Sequence, residues 1–297
     1  MNRLILLVGL PASGKSTFAK TLVNEDTILL SSDALRKELL GDEKCQENND
    51  LVFRTLYNRA KKYLIDGKNV IIDATNINMK DRRRTLSNFQ GMDIERIAIA
   101  MATPIQLCYL RDDNRERKVG RQVIDKFLYR FEIPMRFEGF NSVLINRQTD
   151  HTMYYYDIND IMNKCDTFDQ KNSHHKYTLG KHCEKCYNEL LKLTKDEDLL
   201  IAGEYHDIGK FFTQTFDEKG VAHYFGHQNV GAYMFLCASK HITHDSIFYI
   251  NYHMAPFSWK EEKTKTKYKE LFGVEYYNNL LLLNKCDKIA SGVENDK

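Results

Sequence analysis

No apolar run in this chain reaches the roughly 18 residues that a bilayer-spanning helix requires, so nothing in it argues for a membrane span. The opening apolar stretch is too short for a signal peptide and leads straight into Gly, Pro, Ser and Lys. There is no internal repeat and no low-complexity segment, which leaves ordinary globular domains rather than a solenoid or a linker. Charge of one sign is also missing: 43 Lys and Arg stand against 41 Asp and Glu, for a net charge of +2. That balance neither demands nor excludes nucleic acid, because a local basic groove can sit on a nearly neutral protein. Seven scattered cysteines, an odd number, give no disulfide framework and suit reduced thiols in a cytosol. Cys183-x-x-Cys186 has the spacing of a metal clip but no second Cys pair, and its helical setting makes the spacing incidental.

What is present fits two domains. A chain of 297 residues with 42% hydrophobic and 28% charged residues can bury two cores. The first half alternates short apolar runs with polar helical segments, which predicts βαβ units on a parallel sheet. Leu4–Val8, Ile28–Leu30, Val70–Ile72 and Ile94–Ala100 read as strands, and Asp50–Ile65 as a helix burying Leu51, Leu56, Tyr63 and Leu64. From about Asp157 strand-like runs largely vanish. Helical segments follow at Lys181–Leu193, Asp198–Tyr205, Asn229–Ser239, Asp245–His253 and Tyr276–Ile289. The expected division is 1–155 for the α/β domain and 156–297 for an all-α one.

Gly9-Leu10-Pro11-Ala12-Ser13-Gly14-Lys15-Ser16, followed by Thr17, has the full spacing of a phosphate-binding loop between a strand and a helix. Its glycines let backbone amides converge on phosphate oxygens at a helix N-terminus. Lys15 supplies charge to the β- and γ-phosphates, and the Ser16 hydroxyl is placed to ligate Mg²⁺. A nucleoside triphosphate with Mg²⁺, ATP above all, is the expected cofactor. At the next strand end, Asp33 offers a base for an attacking hydroxyl and Arg36 an anion contact, against the plain alternative of an N-cap Asp with a surface Arg. Asp73-Ala74-Thr75-Asn76 ends another apolar strand and sends a carboxylate towards a metal. Arg82-Arg83-Arg84 is either a solvated helix face or a reach towards acceptor phosphates. Arg111–Arg121 lies where small kinases keep a mobile basic lid.

These segments resemble the polynucleotide 5′-kinase family: Gly9–Thr17, Ser32-Asp33 with Arg36, Asp73–Asn76, Asn114–Ile124, and Phe131–Phe140 with Glu138-Gly139-Phe140. The resemblance spans roughly residues 1–147. It implies that Asp33 is the general base on a 5′-hydroxyl and that Arg36 binds the phosphate beside the acceptor nucleoside. Thr75 and Asn76 would line the acceptor site, and Arg115 or Arg117 would clamp the donor. The lid departs from the family in having Gly120 where Pro often follows the Val.

The second half carries His182, His206, Asp207, His223, His227, His253 and Asp287 in one helical stretch. Imidazole and carboxylate together suit a first-row transition metal or Mg²⁺, which lowers the pKa of water for attack on phosphorus. Their order resembles the HD phosphohydrolase superfamily over about residues 174–292. By that resemblance His182, His206, Asp207 and Asp287 are the core ligands, and His227 and His253 bind a second metal bridged by Asp207. One or two ions of Mn²⁺, Ni²⁺, Co²⁺, Zn²⁺ or Mg²⁺ are expected. His223 would contact the leaving phosphate, Lys210 a substrate phosphate, and His174 or His175 would approach from the linker. Gly226–Ala232 also resembles the HD domain attached to some bacterial tRNA nucleotidyltransferases.

The two resemblances together imply a bifunctional end-healing enzyme of bacterial or phage-infected cytoplasm. It would phosphorylate 5′-hydroxyl ends and remove 3′-phosphates or 2′,3′-cyclic phosphates, which favours RNA because a cyclic phosphate needs a 2′-hydroxyl. A separate ligase would then seal the ends. The alternatives are a small-molecule or nucleoside kinase fused to an HD nucleotidase, and a nucleotide-gated RNA-binding module. Oligomeric state is not legible.

Overall fold

A computed structural model describes residues 1–43, 45, 47–147, 157–174, 176–238 and 242–293. The boundary expected at 155/156 and His175 lie outside the described residues, as does the end of the helix expected to reach Ser239. The chain divides into two compact units: Met1–Phe127 with Pro134–Asp150, and Leu128–Ile133 with His151–Lys297.

The first unit is built on a parallel five-stranded sheet of order β2-β3-β1-β4-β5. Its strands are β1 (Asn2–Val8), β2 (Thr27–Ser31), β3 (Asn69–Asp73), β4 (Ile94–Ala102) and β5 (Ser142–Arg147). The helices are α1 (Lys15–Leu22), α2 (Ser32–Leu40), α3 (Asn49–Ile65), α4 (Met79–Ser87), α5 (Ile105–Asn114) and α6 (Arg121–Leu128). Alternation along β1 sends Leu4, Leu6 and Val8 into one core with Val52, Leu56 and Ala60 of α3. Leu7 faces the other way, with Ile71, Ile97 and Ala19 of α1. A sheet buried on both faces needs such continuously apolar strands. The loops at the C-terminal strand ends are therefore the place for chemistry. β5 was not expected from the sequence: Ser142-Val143-Leu144-Ile145-Asn146-Arg147 is an edge strand, paired among the described residues only through β4, and needs little apolar patterning.

The second unit is helical: α7 (Ile158–Cys165), α8 (Leu179–Leu191), α9 (Glu197–Tyr205), α10 (Lys210–Thr213), α11 (His227–Ala238), α12 (His244–Tyr252), α13 (Glu262–Phe272) and α14 (Val274–Ala290). The expectation of helices alone needs one correction. Thr215–Phe216 and Ala222–His223, β6 and β7, form a short antiparallel hairpin. Its turn is held by Asp217, whose carboxylate accepts from the Lys219 and Val221 amides, and by Gly220 at φ 76°. Gly209 and Gly231 let α11 approach the preceding turn: a Cβ on Gly209 would fall 1.9 Å from the His227 carbonyl oxygen. Cys183 and Cys186 are fully buried, and burial pushes both thiols well above the usual range, so neither is a poised ligand.

Candidate functional site

The first site forms where β1, β2 and β3 end. Gly14 has φ 90° and Ala12 φ 60°, which curls the loop after β1 around its own amides. The Gly9 amide donates to the Thr75 carbonyl at 3.1 Å. A Cβ on Gly9 would meet Ser13 Oγ at 2.8 Å, so the tight loop excludes a side chain there. The buried Lys15 Nζ donates to the Gly9 and Leu10 carbonyls at 3.0 and 2.6 Å. Burial lowers its pKa, while Asp73 acts in the opposite direction. The Ser16 hydroxyl donates to Asp73 Oδ2 at 2.6 Å. A hydroxyl and a carboxylate at the mouth of the loop are the donors that Mg²⁺ takes, and both are oxygen, as that ion requires.

Asp33 sits in the first turn of α2. Ser31, not Asp33, caps this helix, accepting from the Ala34 amide. The Asp33 carboxylate instead accepts from Arg36 at 2.7 Å and from Arg117 at 2.6 Å. Arg36 is buried; it also donates to Asn49 Oδ1 and lies over the Phe53 ring. Asn49 and Phe53 on α3 went unread in the sequence, because nothing local ties them to Arg36. Arg115 donates to Asp112 at 2.8 Å, so the two lid arginines have separate partners. Lys15, Ser16, Asp33, Arg36, Asp73, Thr75, Arg115 and Arg117 line one cavity of about 260 Å³.

Asn76 stands elsewhere. With φ 45°, it turns its amide to donate to the Leu7 carbonyl at 2.9 Å, tying the loop after β3 to β1. Arg82 is neither a solvated residue nor an acceptor contact. It is fully buried, forms a two-point pair with Glu138 at 2.7 Å, and donates to the Asn76 carbonyl. Arg83 and Arg84, both exposed, fit the solvated reading of the triple arginine, and Arg84 pairs with Asp50.

The second site lies in the helical unit. Asp207 follows α9, His182 comes from α8, Asp287 from α14, His227 opens α11 and His253 follows α12. Asp207 Oδ2 lies 3.3 Å from His182 Nε2 and 3.4 Å from His206 Nε2, and Oδ1 lies 3.2 Å from His227 Nε2 and 3.5 Å from His253 Nε2. Asp287 Oδ1 closes the first set at 3.0 Å from His182. Within each histidine pair the Nε2 atoms face one another at 3.2 and 3.1 Å. Nδ1 of His206, His227 and His253 sits 2.8–3.0 Å from the carbonyl oxygens of Gly203, Tyr224 and Ile250. A carbonyl only accepts, so Nδ1 carries the proton and Nε2 turns a lone pair inward. Imidazole nitrogens and carboxylates converging in a buried space are donors that a divalent cation takes, and the groups form two adjoining sets that share Asp207.

The charges agree. Burial alone would depress His206, but Asp207 and Asp287 outweigh it and push it up to about 10. Burial, reinforced by His206 and His227, pulls His253 down to about 4 although Asp207 opposes it. Asp207 and Asp287 stay well below the usual carboxylate range: burial opposes ionisation, but Lys210 and His206 hold Asp207 charged, and His182 and His206 hold Asp287. Lys210 Nζ is 2.6 Å from Asp207 Oδ2 and donates to Gln170 Oε1, so its charge is already engaged with the cluster. His223 pairs with Asp217 and stacks on Phe225. His174, His223 and Lys210, with Asp207, His227 and Asp287 of the cluster, line a cavity of about 400 Å³.

The fold and loop of the first unit define a P-loop kinase domain, for which ATP and Mg²⁺ are the implied ligands. Residues 4–134 match the family described as AAA domain. The chain is 30% identical over 143 residues to L-seryl-tRNA(Sec) kinase of Methanococcus maripaludis, a match covering 44% of this chain and 53% of that protein. The chain thus spans about half the length of this curated relative. Among solved structures, a chain of the Pnkp1/Rnl/Hen1 RNA repair complex is 24% identical, with a TM-score of 0.38 and 42% of each chain covered. Kti12 of Chaetomium thermophilum is 18% identical, with a TM-score of 0.41, over 50% of this chain and 90% of that one. No helix among the described residues is long and apolar enough to cross a membrane.

Proposed function

We propose that this protein heals nucleic-acid ends: the first unit phosphorylates 5′-hydroxyls, and the second, an HD-type phosphohydrolase, removes 3′-phosphates or 2′,3′-cyclic phosphates. The observation that carries the reading is the buried Asp207 between two histidine pairs, in the same chain as a complete phosphate-binding loop. Similarity to a kinase named for a seryl-tRNA supports RNA as the acceptor.

In the kinase, Lys15 and the loop amides orient the donor phosphates, and Ser16 and Asp73 would hold Mg²⁺. Asp33 takes the proton of the 5′-hydroxyl as its oxygen bonds to the γ-phosphorus and the nucleoside diphosphate leaves. Arg36 and Arg117 position that carboxylate from two sides. In the hydrolase, His182, His206, Asp207 and Asp287 would hold one divalent cation, and Asp207, His227 and His253 a second. Such ions supply Lewis acidity and a nucleophile from water near neutral pH. Lys210 holds Asp207 ionised, and His174 and His223 stand at the cavity wall for the substrate phosphate.

The test offers γ-labelled ATP with a 5′-hydroxyl RNA ending in a 2′,3′-cyclic phosphate, in Mg²⁺, Mn²⁺ or Ni²⁺, and resolves both ends. Label on the RNA with a 3′-hydroxyl product is the expected result. Label on free nucleosides alone would replace this reading with a nucleoside kinase fused to a nucleotidase. Binding without transfer would leave a nucleotide-gated RNA binder.

A further inference from the structure

We infer that the face of α14 beside the metal cluster is a strand groove, which makes the hydrolase selective for polynucleotide ends over mononucleotides. This rests on the hydrolase reading above and adds the surface that selects a strand over a mononucleotide. The groove, of about 580 Å³, is lined by Leu281, Asn284, Lys285, Lys288, Ile289 and Val293 among others. Lys288 and Val293 also line the 400 Å³ cavity at the cluster, so one surface leads from the reacting phosphate onto α14. Positions 281, 284, 285 and 288 recur at helical spacing and share one face. Seven residues of helix carry that face about 10 Å from the cavity, farther than a terminal phosphate alone requires.

The lining chemistry selects a phosphodiester chain. Among the described residues it holds two ammonium groups and no carboxylate. Lys288 Nζ lies 4.9 Å from the centre of the half-exposed Phe257 ring, a cation beside an aromatic face at the cavity mouth. Asn284 is buried at 5% exposure, and its Nδ2 has no hydrogen-bond partner among the described residues. A buried amide donor without an acceptor is costly, and a phosphate or base oxygen lying in the groove would satisfy it. Leu281 and Ile289 are exposed at 41% and 52%, apolar rungs against which sugar and base faces can lie. A mononucleotide would reach Lys288 and leave Lys285 and Asn284 unused.

The experiment compares kcat/KM for 3′-phosphate removal from a mononucleotide and from oligoribonucleotides of two, four and eight residues. It uses full-length protein with Mn²⁺, in the wild type and in Lys285→Glu, Lys285→Arg and Asn284→Leu. The wild type is expected to prefer the longer substrates by about tenfold or more. Lys285→Glu should collapse that preference, and Lys285→Arg should keep it. Affinity for a 5′-labelled oligonucleotide, measured against salt, should show a slope shallower by about 0.7 per lost phosphate contact in Lys285→Glu. Hydrolysis with no length preference, or a length preference and salt slope unmoved by Lys285→Glu, overturns the groove and leaves the hydrolase standing. Absence of hydrolysis on every substrate overturns the hydrolase reading instead. The groove is then decided by whether Lys285→Glu changes the salt slope of strand binding.

Discussion

Gly120 donates its backbone N–H to the Asp112 carboxylate at 2.8 Å from a conformation with φ 87°. The same carboxylate, almost wholly buried, accepts from the Val119 amide and from Arg115, so the lid loop is folded around one anion. A proline at this position would have neither the N–H nor access to positive φ. Gly120 therefore serves this loop through both its N–H and its positive φ. Gly120→Pro should lower kcat/KM for ATP by about tenfold or more through misplaced lid arginines, with 3′-end hydrolysis unchanged. An unaltered kinase rate in steady-state assays would show that the lid does not depend on this bond.

On the proposed reading, Lys15 and Asp33 divide the kinase chemistry. Lys15→Ala removes the charge beside the transferring phosphate and should abolish phosphorylation. Asp33→Ala removes the proton acceptor and should cost about a hundredfold to ten-thousandfold in kcat. Both should retain metal-dependent hydrolysis, since that cluster is built from other residues. Full transfer by Asp33→Ala at pH 7 would exclude its role as base.

The cluster should bind metal before it does chemistry, and that is measurable without turnover. A ligand that binds only the folded state raises its melting temperature. Mn²⁺ added to chelator-stripped protein should therefore raise Tm of the wild type but not of Asp207→Ala, which removes the group common to both sets. His206→Ala and Asp207→Ala should also lose 3′-phosphate removal while 5′ phosphorylation persists. His253→Ala should spare the set built on His182, and one hydrolytic step can survive it. An equal metal-induced Tm rise in Asp207→Ala would dissociate this carboxylate from metal binding.

Arg82 and Glu138 test a structural claim rather than a catalytic one. Both side chains are fully buried and bonded at two points. Removing one partner leaves an uncompensated charge, which typically costs about 3–5 kcal/mol. Glu138→Ala should therefore shift the urea midpoint of the first unit strongly, and Arg82→Met/Glu138→Leu should recover much of the loss. A Glu138→Ala midpoint equal to wild type would mean that the pair contributes little.

The sequence made the parallel sheet legible because its strands are buried on both faces and read as unbroken apolar runs. The loop from Gly9 to Ser16 was legible because its glycines are needed for backbone reasons alone. What escaped the sequence depends on distant partners. Asn49 reaches Arg36 only once α3 lies beside α2. Arg82 looked solvated because its neighbours are arginines, whereas one turn of α4 sends it to Glu138. α13 was missed because Lys, Thr and Glu crowd its surface, with Phe272 its one buried residue. In the helical unit the ligand types were visible and the resemblance implied their division about Asp207, but which carboxylate oxygen each imidazole faces was not, since that depends on how the helices pack.

The chain leaves the first unit after Phe127 and returns to it at Pro134, and the six residues between belong with the helices. There Phe131 packs edge-on against Tyr233, and Asn251 both donates to the Phe131 carbonyl and accepts from the Ile133 amide. No single scission therefore yields two intact modules. A fragment begun after the expected boundary would lack a ring and two backbone partners from its own interior, and Asn251, two residues before His253, would face a gap. Dissection of the two activities belongs to point substitution in the whole protein, or to a helical fragment supplied with the 128–133 peptide in trans.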